Sequence, residues 1–221
     1  MTPPEEGVVK FALAHRAEPL EARVYGDVVR ELSGWREVLR RLGGIGQDRA
    51  RYGGAGFGNL SLRVPPLGEA GRGRRRFLIT GTQTGGRERL TVADCALVER
   101  YDLAENRVTS TGATPPSSEA LTHGAIYDAA PSCRAVFHVH APELWQRARS
   151  LGLPATRPDV EYGTPAMAHE VERLFREAAL AAHGICAMGG HEDGVIAFAA
   201  GAAEAGALLL RHYARALAEG R

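Results

Sequence analysis

Apolar residues along this chain change their spacing repeatedly, from every second position to every third and fourth and back. That alternation restricts the fold to a sheet layered with helices. Val28, Val29, Leu32, Trp35, Val38, Leu39 and Leu42 predict a helix that Gly43-Gly44-Ile45-Gly46 ends. Four glycines between Gly53 and Gly58 predict a loop with unusual backbone angles or close ligand approach. Leu60, Leu62 and Val64 alternate with Ser61 and Arg63, the period of a half-buried strand. Phe77-Leu78-Ile79 predicts a second strand, running into a turn-forming, anion-friendly loop from Thr80 to Gly86. Ala96-Leu97-Val98 and Val108-Thr109-Ser110 predict a hairpin around Glu105-Asn106. A helix follows Pro115-Pro116-Ser117-Ser118-Glu119, with Ser117 as its N-cap and Leu121, Ala125 and Ile126 at helical spacing. Ala135 to His140 reads as a short buried strand, followed by helices over about 142–150 and 166–181. Ile185–Met188 and Val195–Phe198 predict a second hairpin, and a last helix covers about 202–219. No fixed-period repeat or linker divides the chain. The pattern predicts one α/β domain over residues 19–221, a central mixed or antiparallel sheet flanked by helices, after a loosely held terminal segment 1–18.

Composition narrows the function. The chain has 221 residues, enough for one self-supporting core. A formal charge of +1 gives no case for nucleic acid or an anionic membrane as partner. The basic run Arg72 to Arg76 lacks interleaved aromatics and reads as a solvated loop. Cys95, Cys133 and Cys186 form no CxxC pair, so neither a disulfide framework nor a thiolate zinc site is expected. Cys186 reads as a small core residue on a strand. No apolar run reaches the roughly 20 residues that span a bilayer, and the acidic, proline-containing start is unlike a signal peptide. A cytoplasmic location is expected.

The chemistry gathers at a few histidines. His138 and His140 stand two apart on a predicted strand, so both imidazoles project from one face and can share a divalent cation. His191, in the glycine-rich turn Gly189-Gly190-His191-Glu192-Asp193-Gly194, can supply a third ligand. Three histidines leave a coordination position open for water or substrate, which is the catalytic pattern. Glu119, near a helix start, can be a ligand or a base, or can simply favour the helix dipole. Ser117 and Ser118 add hydroxyls and unpaired N–H groups there, a ready anion site, and Gly58-Asn59 and Thr84-Gly85 offer donors from two other loops.

The order of these motifs resembles the class II aldolase/adducin family. The likeness runs through Gly58-Asn59-Leu60-Ser61-Leu62-Arg63, Ile79-Thr80 to Thr84-Gly85, Pro116-Ser117-Ser118-Glu119 with His123 and Tyr127, His138-Val139-His140, Tyr162-Gly163-Thr164-Pro165, and Gly190-His191 before the Gly194-Val195-Ile196 strand. It covers roughly residues 28–218 and implies a three-layer α/β/α arrangement. The resemblance implies a homo-oligomer, often a tetramer, with the site near a subunit boundary. It implies that His138 and His140 are zinc ligands (Mn2+, Fe2+ or Co2+ being alternatives), that Glu119 is the acid/base, and that Asn59, Thr84, Gly85, Ser117 and Ser118 hold a substrate phosphate. The substrate would be a sugar phosphate or related carbonyl compound, cleaved by a retro-aldol step or dehydrated through a metal-stabilised enediolate.

Three departures from the family pattern keep alternatives open. The family's third histidine directly precedes a glycine, whereas here Asp193 precedes Gly194 and His191 lies two residues earlier. His191 is preferred on ligand chemistry, with Asp193 as the alternative and His183 as a rival. About twenty residues separate His140 from Tyr162, where the aldolases have a longer segment carrying a tyrosine proton donor, and the tail with a further tyrosine is missing. A sugar-phosphate 4-epimerase and a non-catalytic adducin-head-like module are the alternative functions. Of the remaining residues, His15 and His169 are expected to be exposed and His212 to lie on the surface of the last helix. His123 is expected to orient Glu119, and Tyr162 to donate a proton or to pack.

Overall fold

The computed structural model describes residues 8–68 and 70–219. Strand β1 (Ala12–Arg16) precedes helix α1 (Ala22–Arg41). Two short strands, β2 (Gly46–Gln47) and β3 (Gly56–Phe57), pair with each other. Next come β4 (Asn59–Arg63) and β5 (Phe77–Thr80), then the hairpin of β6 (Cys95–Asp102) and β7 (Arg107–Thr111). The hairpin's turn is fixed by Asp102 Oδ1, which accepts from the N–H groups of Ala104 and Glu105 at 3.0 and 2.9 Å. The second half holds α2 (Ala120–Ala129), β8 (Ala135–His140), α3 (Pro142–Gln146), α4 (Pro165–Glu177), the one-turn α5 (Leu180–His183), β9 (Ile185–Ala187), β10 (Gly194–Ala199) and α6 (Ala202–Glu219).

Eight strands form one mixed sheet in the order β1-β7-β6-β5-β4-β8-β10-β9, antiparallel at every pairing except β1 with β7. Alternation along the strands divides the core in two. Leu60, Leu62, Phe137, Val139, Val195 and Ala197 pack with Leu32 and Leu39 of α1 and Leu209 of α6. Ile79, Val136, Ile196 and Phe198 pack with Leu121 and Ile126 of α2 and Met167 and Val171 of α4. The sheet is therefore the middle of three layers, as the family resemblance implies. Because Val136 faces α2 and α4, His138 and His140 face that side too.

Several local expectations are corrected. The segment 1–18 is not loose throughout: Ala12–Arg16 is a strand, paired residue for residue with Arg107–Thr111. The sequence there does alternate, with Val9, Phe11 and Leu13 packed against the core, but over a stretch too short to be read as a strand in advance. Pairing there satisfies backbone groups that β7 would otherwise present at the sheet edge. Residues 1–7 of that segment lie outside the described residues. The α4 helix stops at Glu177 rather than running to 181, and Ala179, at φ +49°, redirects the chain so that Leu180 enters the core. The α3 helix ends at Gln146, ahead of the expected 150. The basic run is only partly solvated. Arg75, with 12% of its side chain exposed, pairs with the buried Asp128 at 2.8 Å, and Arg72 pairs with Glu172.

Candidate metal centre

The centre is built where β8 meets its two neighbours. His138 lies opposite Asn59 of β4 and Ile196 of β10, and His140 lies opposite Gly194 at the start of β10. The turn between β9 and β10 brings the third imidazole in. It bends tightly because Gly189 and Gly190 have no side chain: a Cβ on either would come within 2.3 Å of the Thr156 carbonyl oxygen or 2.1 Å of that of Val160. The His191 N–H donates to the Met188 carbonyl at 3.1 Å, which fixes the residue's place in the turn. The three rings end 4.8–5.1 Å apart between centroids. One nitrogen from each lies within 4.8 Å of the others, and all three residues are buried.

Those donors fit a divalent cation. Burial, reinforced by the charges of His138, His191 and Arg51, holds the His140 imidazole well below its ordinary pKa. It is therefore neutral, the form that ligates metal. The Asn59 amide lies 3.1 Å from His138 Nδ1. The contact is made by Asn59 Nδ2; an amide turned over, with Oδ1 toward that nitrogen, would accept Nδ1–H and leave Nε2 to a metal, the usual outer support of a ligating histidine. Tyr162, buried, stacks on His191 at 4.5 Å between ring centroids, and Lys10 Nζ lies 4.0 Å from the centroid of the Tyr162 ring.

Glu119 stands beside this cluster. It occupies the N-cap position of α2, one residue ahead of the helix, and its side chain makes no cap bond. Ser117, expected as the N-cap, instead accepts the Glu119 N–H on its hydroxyl at 3.3 Å. The Glu119 carboxylate, 1% exposed, has Oε1 3.3 Å from His191 Nδ1. Burial opposes its charge, but the hydrogen-bonding contact with His191 and the charges of His138, His191 and His123 outweigh that and hold it at about 2. His123, expected to orient Glu119, has Nδ1 2.7 Å from the Ser61 hydroxyl, which also meets the Tyr127 hydroxyl at 2.8 Å.

A small pocket opens next to the centre, lined by Gly56, Asn59, Gln83, Gly85, Ser117 and Ser118 among others. The structure thus brings together all five residues expected to hold an anion, Thr84 included. The Thr84 hydroxyl is already committed, donating to the Gly81 carbonyl at 2.8 Å. Gly85 could not carry a side chain, since a Cβ there would sit 2.0 Å from the Gly46 carbonyl oxygen.

Sequence reasoning missed three residues. Arg36 of α1 is buried and donates from Nη2 to the carbonyls of Thr84 and Gly85 at 3.0 and 2.8 Å. Gln83 accepts the Gly56 N–H at 2.9 Å. Tyr52 sets its ring against His140, 4.5 Å between centroids, and donates its hydroxyl to Asp193 Oδ2 at 2.6 Å. Burial first, then the Asp193 carboxylate, pushes that phenol above its ordinary pKa. Asp193, the alternative ligand, is thereby turned to Tyr52 and lies outside the histidine cluster. The rival His183 is exposed at the end of α5 before Gly184, while His169 is exposed as expected. His15 is not exposed: it is half-buried, with Nδ1 2.9 Å from the Ser110 hydroxyl.

Comparison with known proteins places the chain in a family and supports its fold. The family model of the Class II Aldolase and Adducin N-terminal domain matches residues 47–212. Among solved structures, an L-fuculose-1-phosphate aldolase from Thermus thermophilus aligns over 89% of this chain and 92% of its own, with 24% identity and a TM-score of 0.59. A sugar-phosphate aldolase from Thermotoga maritima aligns over 89% and 97%, with 18% identity and a TM-score of 0.62. The N-terminal class II aldolase domain of a conserved protein from Thermoplasma acidophilum aligns over 87% and 93%, with 13% identity and a TM-score of 0.58. A search of curated protein sequences finds no match. At these identities the structural likeness speaks for the fold, and the family match over most of the chain decides the rest: this protein belongs to the class II aldolase/adducin family.

Proposed function

We infer that this chain is a divalent-metal-dependent lyase acting on a sugar-like carbonyl compound that carries an anionic group, most simply a phosphate. The observation that supports this reading is the convergence of His138, His140 and His191 beside the buried Glu119 carboxylate. His138, His140 and His191 would hold the cation, zinc first among candidates, with Mn2+, Fe2+ and Co2+ as the others. When bound, it supplies Lewis acidity toward a carbonyl oxygen.

The chain's own groups do the rest. Asn59, the Gly85 backbone, Ser117 and Ser118 offer neutral donors to the anionic end of the substrate and so orient it. Glu119, ionised at neutral pH, takes a proton from the substrate at a carboxylate oxygen and returns it to carbon as the fragments part. Its burial keeps bulk water from competing for that proton. A homotetrameric assembly is part of the same proposal and is supported by the family likeness; light scattering on the purified protein tests it.

The decisive experiment combines metal analysis with a substrate panel. Purified protein should bind close to one zinc, manganese, iron or cobalt per chain. It should then cleave or dehydrate at least one member of a set of ketose and aldose 1- and 5-phosphates. Glu119→Gln should lower kcat by about a hundredfold or more, in line with the loss of a general acid/base, while keeping the metal. A folded preparation that takes up none of these metals overturns the reading. Isomers in place of fragments would convert it to an epimerase.

A further inference from the structure

Two residues with left-handed backbone meet beside the histidine cluster. Tyr52 (φ +49°) and Asp193 (φ +62°) are 141 positions apart, and the phenol donates to the carboxylate at 2.6 Å. Residues other than glycine hold such angles only where their surroundings enforce them. Here the surroundings form a closed circuit. The Tyr52 ring stands edge-on to His140. The residue after His140, Ala141, donates its N–H to the Asp193 carbonyl at 2.8 Å, and the Asp193 side chain returns to Tyr52. Arg51 closes the back of it, with Nη2 donating to the Tyr52 oxygen at 2.8 Å and Nη1 to the Gly43 carbonyl at 2.8 Å. Because that phenol oxygen already accepts from Arg51, its own hydrogen is directed at Asp193, and each bond polarises the next.

We propose that Tyr52 and Asp193 are positioning residues that lock the turn carrying His191 against the end of β8 carrying His140, so that the ligand spacing is set before a metal arrives. His191 lies two residues before Asp193, and its carbonyl accepts the Gly194 N–H at 2.9 Å, so the turn moves as a unit with the carboxylate. A site held in this way has less ordering to do on binding, and its affinity for the cation rises accordingly. The proposal rests on the metal-site reading above. It gives Asp193 a task beside the centre, as the holder of the turn that carries a ligand.

The test is zinc affinity of metal-stripped protein, measured by competition with a chromogenic chelator, together with the visible absorption of the cobalt-loaded form. Tyr52→Phe keeps the ring and removes only the hydroxyl. Asp193→Asn keeps a residue type that tolerates left-handed backbone. Each is expected to weaken zinc binding about tenfold, the lower end of what outer-support losses cost, and to alter the cobalt bands. The circular dichroism of the metal-free protein should be unchanged. The double variant should bind no more weakly than the weaker single, since both substitutions act on one contact, Tyr52→Phe by removing the donor and Asp193→Asn by taking the acceptor's charge. If either variant proves unstable, Arg51→Gln, which leaves both partners in place, should weaken zinc by a smaller factor. Wild-type affinity and cobalt spectra in both single variants would overturn the proposal alone. Wild-type protein that binds no metal would overturn the proposed function and this inference with it.

Discussion

Arg36 commits a buried guanidinium, on a residue only 3% exposed, to two backbone carbonyls. A trans peptide points its N–H away from its C=O. By holding the Thr84 and Gly85 carbonyls, Arg36 therefore turns the N–H groups of Gly85 and Gly86 to the opposite side. Sequence spacing alone could have flagged this residue. It lies four after Leu32 and three before Leu39, on the inward stripe of α1, yet its type argues for the surface. Desolvation, reinforced by nearby Arg40, lowers its pKa, so the carbonyl partners are what make the charge tolerable there. Arg36→Met should destabilise the fold by about 1–3 kcal/mol, because the buried Gly85 carbonyl loses its side-chain donor and the Thr84 carbonyl keeps only the Arg87 N–H. It should also raise KM for an anionic substrate more than it lowers kcat. Denaturant midpoints and steady-state kinetics check both, and an unchanged midpoint would show that the loop holds its shape without the arginine.

At the scale of elements, the turn between β9 and β10 is rigid where α1 is forgiving. Gly190→Ala would force a Cβ onto the Val160 backbone, 2.1 Å from O and 2.7 Å from C, so the turn must move and carry His191 with it. Metal uptake should drop sharply while most of the helical signal remains. The contrasting substitution is Gly34→Ala on α1, where no atom lies within 4 Å of the added Cβ and the residue is exposed. It should stabilise the protein by about 0.5–1 kcal/mol through helix propensity and a stiffer unfolded chain. Calorimetry and metal titration on the pair separate the two effects, and equal metal uptake in both variants would refute the account of the turn. The same contrast explains what was legible beforehand. Alternation in β4, the short apolar run of β8 and the three-to-four spacing of α1 are local, so strands, helix and the shared face of His138 and His140 could be read directly. The partnership of Tyr52 with Asp193 spans 141 residues and depends on two left-handed backbones. The β1 strand depends on an edge that only the folded sheet presents. The first leaves no periodic trace, and the second only the short alternation of Val9, Phe11 and Leu13.

Taken whole, the molecule keeps several ionisable groups in states that water would not choose, and this sets its response to acid. Burial, partly opposed by the Glu119 charge, drops His123 from an ordinary 6.5 to about 3, and burial shifts His140 the same way. As pH falls, the unfolded chain therefore takes up these protons before the folded chain can. The stability gained by keeping the two rings neutral is complete above pH 6.5 and is lost as pH falls from there toward the folded values. The carboxylates act later but with the same sign. Glu170, hydrogen-bonded by Arg173, and Glu37, hydrogen-bonded by Arg40 and Arg41, both lie below their ordinary 4.5, so their contributions are lost only below that value. Each of the two rings, inside its window, adds a slope of about 1.4 kcal/mol per pH unit at most. Metal-free protein should thus begin to lose stability below pH 6.5, well ahead of carboxylate protonation. His123→Asn should flatten the decline between 6.5 and 4.5 by one proton's worth, leaving the share due to His140. Bound zinc should raise the midpoints and leave the decline at least as steep, because a ligated imidazole takes up no proton while its unfolded counterpart does. Urea midpoints across this range, with and without zinc, measure all three slopes. A wild-type curve that stays level down to pH 4.5 would mean that these buried rings share their surroundings with enough water to protonate freely.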